Sequence, residues 1–175
     1  MKEYTLRSTY TGRSSRLRRA ADIALVILIS AFLVFVLFRF MLVPKEVGLS
    51  LVGGVEEGEL VLVDRVSKYV LDYGIGDILD TGSGFLRLAA RGGDTYIVRN
   101  GHAYLNGAYL DESAYSAGWE DGIFIVLTVP EGSLLLLPDS REGLSSLDDF
   151  VLPASEVGGE LRFRLLPFNK LNLYL

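Results

Sequence analysis

The distribution of apolar positions divides this chain into two unlike parts. Residues 23–38 form an apolar run without a charge, and its 16 residues make about 24 Å of helix. The longer run over residues 20–43 makes about 36 Å, with Asp22 and Arg39 near its ends, where both charges can reach the membrane interfaces. The pattern predicts a transmembrane anchor over residues 20–43.

Charge predicts the orientation of that anchor. Residues 1–19 carry six basic side chains against Glu3, a net charge of +5; because the whole chain is −5, the remaining 156 residues carry −10. Basic residues beside a span stay in the cytoplasm and attract anionic lipid. We therefore expect a cytoplasmic tail over residues 1–19, a cell-membrane location with a single pass, and an extracytoplasmic part over residues 44–175. Nucleic acid is not an expected partner of a tail in this position.

A cleaved signal peptide is the alternative to a retained anchor. The apolar run is long for a signal peptide, and Arg39 stands where a small-residue cleavage motif is needed. These features favour a retained anchor.

Beyond residue 43 the pattern changes to short alternating segments separated by Gly, Asn, Asp and Pro, which is typical of short antiparallel strands. In Asn106-Gly107 the sequence has the two-residue turn of a β-hairpin. No sustained helical periodicity or internal repeat follows, so we expect one mostly β domain. The predicted strands are Leu60–Val66, Phe85–Ala89, Thr95–Arg99, Ala103–Leu105, Ala108–Leu110, Ile123–Val129, Leu134–Leu137 and Leu161–Leu166, of which Leu134–Leu137 is expected to be buried on both faces.

Composition limits the chemistry. The chain has no cysteine and a single histidine, His102. A lone histidine offers too few ligands for a metal site, so we expect neither metal nor cofactor.

The segment Gly48-Leu49-Ser50-Leu51-Val52-Gly53-Gly54-Val55 resembles the nucleophile region of type I signal peptidases, Gly-x-Ser-Met-x-Pro-Thr-Leu. Without a gap, Gly58-Glu59 and Val61-Leu62-Val63 then fall on the Gly-Asp and the strand that follow in the family. Further fragments match in order: Gly76-Asp77-Ile78, residues 86–94, Asp111-Glu112, Val129-Pro130-Glu131-Gly132, Pro138-Asp139-Ser140-Arg141 and Val157-Gly158-Gly159.

The resemblance implies a signal-peptidase-like antiparallel β domain behind one N-terminal transmembrane helix. It places the nucleophile at Ser50 and the general base at the position of Leu86, and it assigns structural roles to Gly58, Asp94, Asp139 and Arg141. The peptide-binding surface is expected at Gly48, Leu49, Leu51 and Leu86.

The departures from the family pattern fall on the catalytic residues. Leu86 replaces the lysine that takes the serine proton, and the guanidinium of Arg87 does not deprotonate in proteins. Gly53 and Gly54 replace the family's Pro-Thr, which predicts a more mobile loop. The later Asp-Ser-Arg of the family has no clean counterpart; Asp148 matches its aspartate only with an insertion.

Four other residues are candidates for a replacement base. Lys45 lies five residues before Ser50, Lys68 follows a predicted strand, and Lys170 is near the C-terminus. Some relatives use histidine in place of the lysine, but His102 lies 16 residues beyond position 86, beside the hairpin turn. We expect it to be a solvated hairpin residue and none of the four to act as the base.

Three functional hypotheses remain open. The first is a non-hydrolytic pseudo-peptidase that binds extended peptides, preproteins or pilin subunits, since degenerate relatives assist sortase-linked pilus assembly in Gram-positive bacteria and strand addition needs no lysine. The second is an active serine signal peptidase with Ser50 and an unrecognised base. The third is a membrane-tethered scaffold.

Overall fold

The computed structural model describes residues 3–70 and 73–167, with side chains from residue 16 onward except residue 38. It divides into two compact units, residues 1–40 and residues 41–175. The first unit holds helix α1 (Glu3–Val36), which continues into a π-helical turn (Leu37–Met41). Over Arg16–Met41, which contains an 18-residue stretch with a mean hydropathy of 2.8, this helix is long and apolar enough to cross a membrane.

The second unit is built from two antiparallel sheets. The first has seven strands in the order β1-β2-β11-β3-β4-β9-β10, and the second has four in the order β7-β6-β5-β8. A short helix, α2 (Ser67–Val70), follows β2, and 3-10 turns precede and follow β10. The strands are β1 Leu42–Glu46, β2 Leu60–Asp64, β3 Ile78–Asp80, β4 Phe85–Arg91, β5 Thr95–Arg99, β6 His102–Leu105, β7 Ala108–Leu110, β8 Ile125–Thr128, β9 Ser133–Leu137, β10 Val151–Pro153 and β11 Gly159–Leu166.

The seven-stranded sheet curls until the chain just after β1 meets β4. Ser50 forms an isolated parallel bridge with Phe85, and the ammonium of Lys45 on β1 reaches Asp80 on β3 at 2.6 Å. The curled sheet encloses an apolar cluster that we call the inner cluster. Its residues are Val47, Val52, Val55, Val61, Val63, Ile78, Phe85 and Leu161.

Strands β4 and β9 carry the other two clusters on opposite faces. Leu135 and Leu137 point toward the four-stranded sheet, where Tyr96, Val98 and Trp119 complete one cluster. Alternate side chains point the other way, because successive residues of a strand face opposite sides. Together with residues from other segments they form the second cluster, which we call the β4–β9 cluster. Its residues are Tyr73, Leu79, Leu86, Leu88, Leu134, Leu136 and Val157.

The mostly β fold is as predicted. Each of the eight predicted strands is present, with boundaries that differ by up to two residues. Asn106 and Gly107 form the turn between β6 and β7 with φ angles of 52° and 82°, the left-handed values that a two-residue hairpin needs. Leu134–Leu137 is buried on both faces, as expected.

The prediction missed strands β1, β3 and β10. Leu42 and Val43 belong to β1, so the helix ends at Met41, two residues before the predicted end of the span. The apolar run hid this change because a short apolar strand and a membrane helix use the same residue types. Strand β3 has only three residues, and Pro153 argues against a strand at β10.

Candidate functional site

The segment after β1 carries Ser50 against the start of β4. The N–H of Phe85 donates to the carbonyl of Leu49 at 3.2 Å, and the N–H of Leu51 donates to the carbonyl of Phe85 at 3.3 Å. In a parallel bridge the paired residues direct their side chains to the same face of the sheet. Ser50 therefore lies on the face of Phe85, and position 86 points to the other face.

The hydroxyl of Ser50 contacts its own loop. Its Oγ donates to the carbonyl of Val52 at 3.2 Å and lies 3.4 Å from the Val52 nitrogen. A serine acts as a nucleophile when an adjacent base takes its proton. Among the described residues the only partner recorded for this hydroxyl is the backbone of Val52, which cannot act as that base.

Asp139 fixes the loop that follows Ser50. Its Oδ2 accepts from the N–H of Gly53 at 2.7 Å, and its own N–H donates to the carbonyl of Leu51 at 2.8 Å. Arg87 on β4 binds the same carboxylate with two hydrogen bonds, Nε to Oδ1 at 2.7 Å and Nη2 to Oδ2 at 2.9 Å. This bidentate geometry is the strongest form of the pair.

Arg87 has further contacts that hold its guanidinium in place. Nη1 donates to the carbonyl of Gly76 at 2.7 Å, and the guanidinium carbon lies 4.2 Å from the centre of the Tyr115 ring. Burial, and secondarily the charge of Glu112, raise the pKa of Tyr115 to about 12. The Arg87 guanidinium is thus a structural cation in this site.

A cleft of about 740 Å³ adjoins this ion pair. Small side chains form most of its wall, so the cleft is open beside the loop that follows Ser50. It is lined by Gly53, Gly54, Arg87, Ser113, Ala114, Tyr115, Ser116, Ala117 and Asp139.

Leu86 packs away from the Ser50 loop. Its side chain is 9% exposed and belongs to the β4–β9 cluster, beside its strand partner Leu79. Leu49 and Leu51, by contrast, are 46% and 44% exposed, and Gly48 is also exposed. Gly48, Leu49 and Leu51 are thus exposed in one segment and Leu86 is buried elsewhere, and the expected role of these four residues in peptide binding stays a prediction.

Of the candidate bases in the described part of the chain, Lys45 lies near Phe85, the bridge partner of Ser50. Its Nζ donates to Asp80 Oδ1 at 2.6 Å and lies 5.6 Å from the centre of the Phe85 ring. Lys68 lies on α2 with its Nζ 5.0 Å from the Tyr69 ring centre. Lys170 lies outside the described residues.

His102 is exposed on β6, and its ring contacts Tyr109 edge to face with centroids 5.6 Å apart. The ring is thus on the four-stranded sheet, next to the hairpin strand β7.

The four residues with expected structural roles occupy turns (Gly58, Asp94) and two buried ion pairs (Asp139 with Arg87, Arg141 with Glu112). Gly58 has φ of 80°, a left-handed value that favours glycine, and its N–H donates to the Val47 carbonyl at 2.8 Å. Asp94 accepts from the N–H of Arg91 at 2.9 Å. Arg141, 2% exposed, donates to Glu112 at 2.7 Å.

Sequence reasoning missed the site contacts of three further residues, Asp80, Tyr115 and Glu112. Asp80 is 35 positions from Lys45, and Tyr115 is 28 positions beyond Arg87, so only the fold reveals these contacts. Glu112 appeared as part of a family fragment, but its buried bonds to Arg141 and to the Tyr96 hydroxyl could not be read from spacing. Within the described part of the chain, no group of three or more His, Cys, Asp or Glu side chains has the arrangement of a metal site.

An antiparallel β unit, an apolar N-terminal helix and a serine loop tied to the sheet are consistent with a signal-peptidase-like domain. The chain is 25% identical over 176 residues to signal peptidase I S of Bacillus subtilis (strain 168), an alignment that covers 90% of this chain and 95% of the relative. No protein-family model matches the chain. The similarity supports a relationship to the type I signal peptidases.

Proposed function

We propose that this protein is a membrane-anchored, signal-peptidase-like protein that binds extended peptides and does not hydrolyse them. The proposed anchor is residues 20–43, of which residues 20–41 are helical, with a cytoplasmic N-terminus and an extracytoplasmic β unit. The single observation that carries the proposal is the position of Leu86. An apolar side chain stands where the family has its base, and it packs into a cluster on the face opposite Ser50.

The rest of the site supports loss of hydrolysis. Ser50 Oγ is hydrogen-bonded to the Val52 carbonyl, and Arg87, the adjacent cation, is bound to Asp139. Removing one member of a nucleophile–base unit costs several orders of magnitude in rate.

Peptide binding is supported by the edge of the seven-stranded sheet. Strand β1 is terminal in the sheet order, and it leads directly to the exposed residues Gly48, Leu49 and Leu51. An extended peptide can add to such an edge through main-chain hydrogen bonds, while side-chain contacts select its sequence. Pro44 removes one donor from β1, so pairing would favour the end of the strand nearest Ser50.

The proposed ligands are secretory preproteins or pilin subunits, presented as extended segments next to the membrane. Sortase and pilin machinery are the proposed partners, because the family's degenerate members act in pilus assembly. Binding of either ligand type needs neither a cofactor nor a metal.

A binding titration tests the peptide surface. The probe is a fluorescent synthetic peptide copying the cleavage region of a secretory precursor, and the protein is the full chain in detergent or nanodiscs. The double variant Leu49→Asp/Leu51→Asp should raise the Kd by about tenfold, since it replaces two apolar contacts by charges.

The matched control is Phe124→Asp/Val126→Asp: Phe124 lies just before β8 and is 71% exposed, and Val126 lies on β8 and is 54% exposed. An equal loss of affinity in both double variants, or no loss in either, would show that the segment 48–51 is not the binding surface.

One observation favours a second candidate function, an active peptidase with Lys45 as the base. Lys45 Nζ lies near the ring of Phe85, the strand partner of Ser50, although it is bound to Asp80. Cleavage of a preprotein that disappears in both Lys45→Met and Ser50→Ala would establish this alternative, and absence of cleavage by the wild type removes it.

A further inference from the structure

We propose that strand β8 is the contact surface for a second copy of this chain, with which it forms an antiparallel strand pair about a two-fold axis. The pair joins two copies of the four-stranded sheet into one continuous sheet with twice as many strands. The inference uses neither Ser50 nor the segment 48–51, so its test is independent of the proposed function.

Strand β8 lies at the edge of the four-stranded sheet. It is terminal in the order β7-β6-β5-β8, and among residues 3–70 and 73–167 its backbone pairs with β5 alone. Just after the strand, the N–H of Val129 donates to the Asp94 carbonyl and the Val129 carbonyl accepts from the N–H of Gly93, both at 2.9 Å. The main-chain groups of Val129 therefore face the β5 side of the strand.

The opposite side of β8 presents main-chain groups that are free to pair. In an antiparallel strand, successive residues direct their N–H and C=O groups to alternate sides. Because Val129 faces β5, the main-chain groups of Phe124, Val126 and Thr128 point outward. The side-chain hydroxyls of Thr128 and Thr95 lie 3.2 Å apart, which fits the close spacing of a strand pair without mutual backbone bonds.

The exposed edge is apolar and carries no charge. Phe124 is 71% exposed and Val126 is 54% exposed, whereas Ile125 and Leu127 pack toward the core of the unit. Residues 122–130 contain no charged side chain, and the pairing of β8 with β5 has no bulge. Edge strands are usually protected from other strands by charges, proline or bulges. None of these lies within β8, so the edge is open to a further strand.

The register of β8 fits its own copy. With the two-fold axis at Val126, this residue lies opposite Val126 of the second copy, and Phe124 lies opposite Thr128. All three residues have outward main-chain groups, so the pair gains about six backbone hydrogen bonds, two for each facing pair. Their side chains share one face of the sheet, where Phe124 and Val126 gain apolar contacts across the axis.

Charge favours a contact between copies at this strand. Residues 41–175 contain ten basic and twenty acidic residues, a net charge of −10, so two copies repel each other over most of their surface. The uncharged residues 122–130 avoid this repulsion. Exposed Asp121 and Glu131 flank the strand, and each meets the other's counterpart at the ends of the pair. Salt screens such like-charge contacts and should therefore strengthen the dimer.

The lack of cysteine allows a direct test of the register by disulfide formation in single-cysteine variants of the full chain in detergent. In Val126→Cys the two thiols face each other on the axis, where Cα atoms about 5.5 Å apart permit a disulfide on oxidation. The matched control is Thr128→Cys on the same face of β8, whose two thiols are separated by about 13 Å along the strand.

Val126→Cys should form at least about tenfold more disulfide-linked dimer than Thr128→Cys, because only the first pair lies within disulfide range. A mixture of Phe124→Cys and Thr128→Cys chains should form the mixed dimer, since these two positions face each other across the axis.

Sedimentation equilibrium of the cysteine-free chain in density-matched detergent measures the Kd of the dimer. Val126→Lys places two ammonium groups opposite each other and should raise this Kd by at least about tenfold. Tyr109→Lys, on β7 and 58% exposed, is the control and should leave the Kd unchanged. Thr128→Pro, which removes an outward N–H, is the second disrupting variant if Val126→Lys does not fold.

A wild type that is monomeric at every concentration and salt tested would overturn the proposal. Equal disulfide formation in Val126→Cys and Thr128→Cys would do so as well, because it would indicate random collision. A dimer whose Kd is the same in the wild type and in Val126→Lys would assign the contact to another surface and reject β8.

Discussion

Glu160 is a carboxylate buried in the β unit, at 3% exposure. Its effect on stability can be tested by changing the pH. Its Oε2 lies 2.9 Å from Arg162 Nη2 in an ion contact without hydrogen-bond alignment. Burial, followed by repulsion from Asp77, raises its pKa from 4.5 to about 7 despite the opposing effect of Arg162.

A raised carboxyl pKa means that the folded state binds the proton more tightly than the unfolded state. Glu160 therefore destabilises the fold progressively between pH 4.5 and about 7, with an upper limit of about 3 kcal/mol above that range. Glu160→Gln should raise Tm at pH 8 and leave it nearly unchanged at pH 4.

Thermal unfolding of wild type and variant across this pH range measures the effect, with the exposed Glu156→Gln as the control. If the difference in Tm between wild type and Glu160→Gln does not change with pH, burial does not govern the pKa of this carboxyl group.

Leu86 is the residue on which the proposed loss of hydrolysis depends. Leu86→Lys should lower Tm by several degrees, because it places an ammonium in the β4–β9 cluster, and it should not create cleavage, because position 86 faces away from Ser50. Leu86→Met is the volume-matched control and should change Tm little.

Cleavage by Leu86→Lys that requires Ser50 would mean that the side chain at 86 reaches the serine and that the rest of the site is intact.

At the scale of elements, the Arg87–Asp139 pair joins β4 to the loop that follows Ser50. Both side chains are largely buried, so Asp139→Asn leaves an uncompensated guanidinium and should cost about 3–5 kcal/mol of unfolding free energy. Hydrogen exchange at the amides of Leu51 and Gly53 should accelerate, since both belong to the loop that Asp139 holds.

Denaturant unfolding and amide exchange measure the two effects. Asp149→Asn, an exposed aspartate, is the control and should change neither. A lower free energy of unfolding without faster amide exchange at Gly53 would show that Asp139 stabilises the sheet but does not order the loop.

Elements with a strong local signal were predicted well. Asn106-Gly107 has its own turn chemistry, and Leu134–Leu137 is an apolar run long enough to be recognised as a buried strand. Strand β1 was missed because it continues the apolar run of the helix, and nothing local separates Leu42 from the span. Contacts over long separations, such as Lys45 with Asp80, depend on the curl of the sheet and were beyond sequence reasoning.

At the scale of the whole molecule, the resemblance gave the order of positions along the chain, but it gave neither the bridge between Ser50 and β4 nor the direction of the side chain at 86. Register fixes the order of positions along a strand, whereas the face on which a side chain lies also depends on pairing with neighbouring strands. The bridge between Ser50 and Phe85 is therefore needed to see that the segment 48–51 and the buried Leu86 lie on different faces.

A cleavage assay on a secretory preprotein tests the central claim of the account most directly. Purified full-length wild type and Ser50→Ala, both reconstituted in lipid, are compared with an active signal peptidase as the positive control. The account predicts no cleavage by the wild type above the level of Ser50→Ala. Cleavage by the wild type that is lost in Ser50→Ala would contradict it.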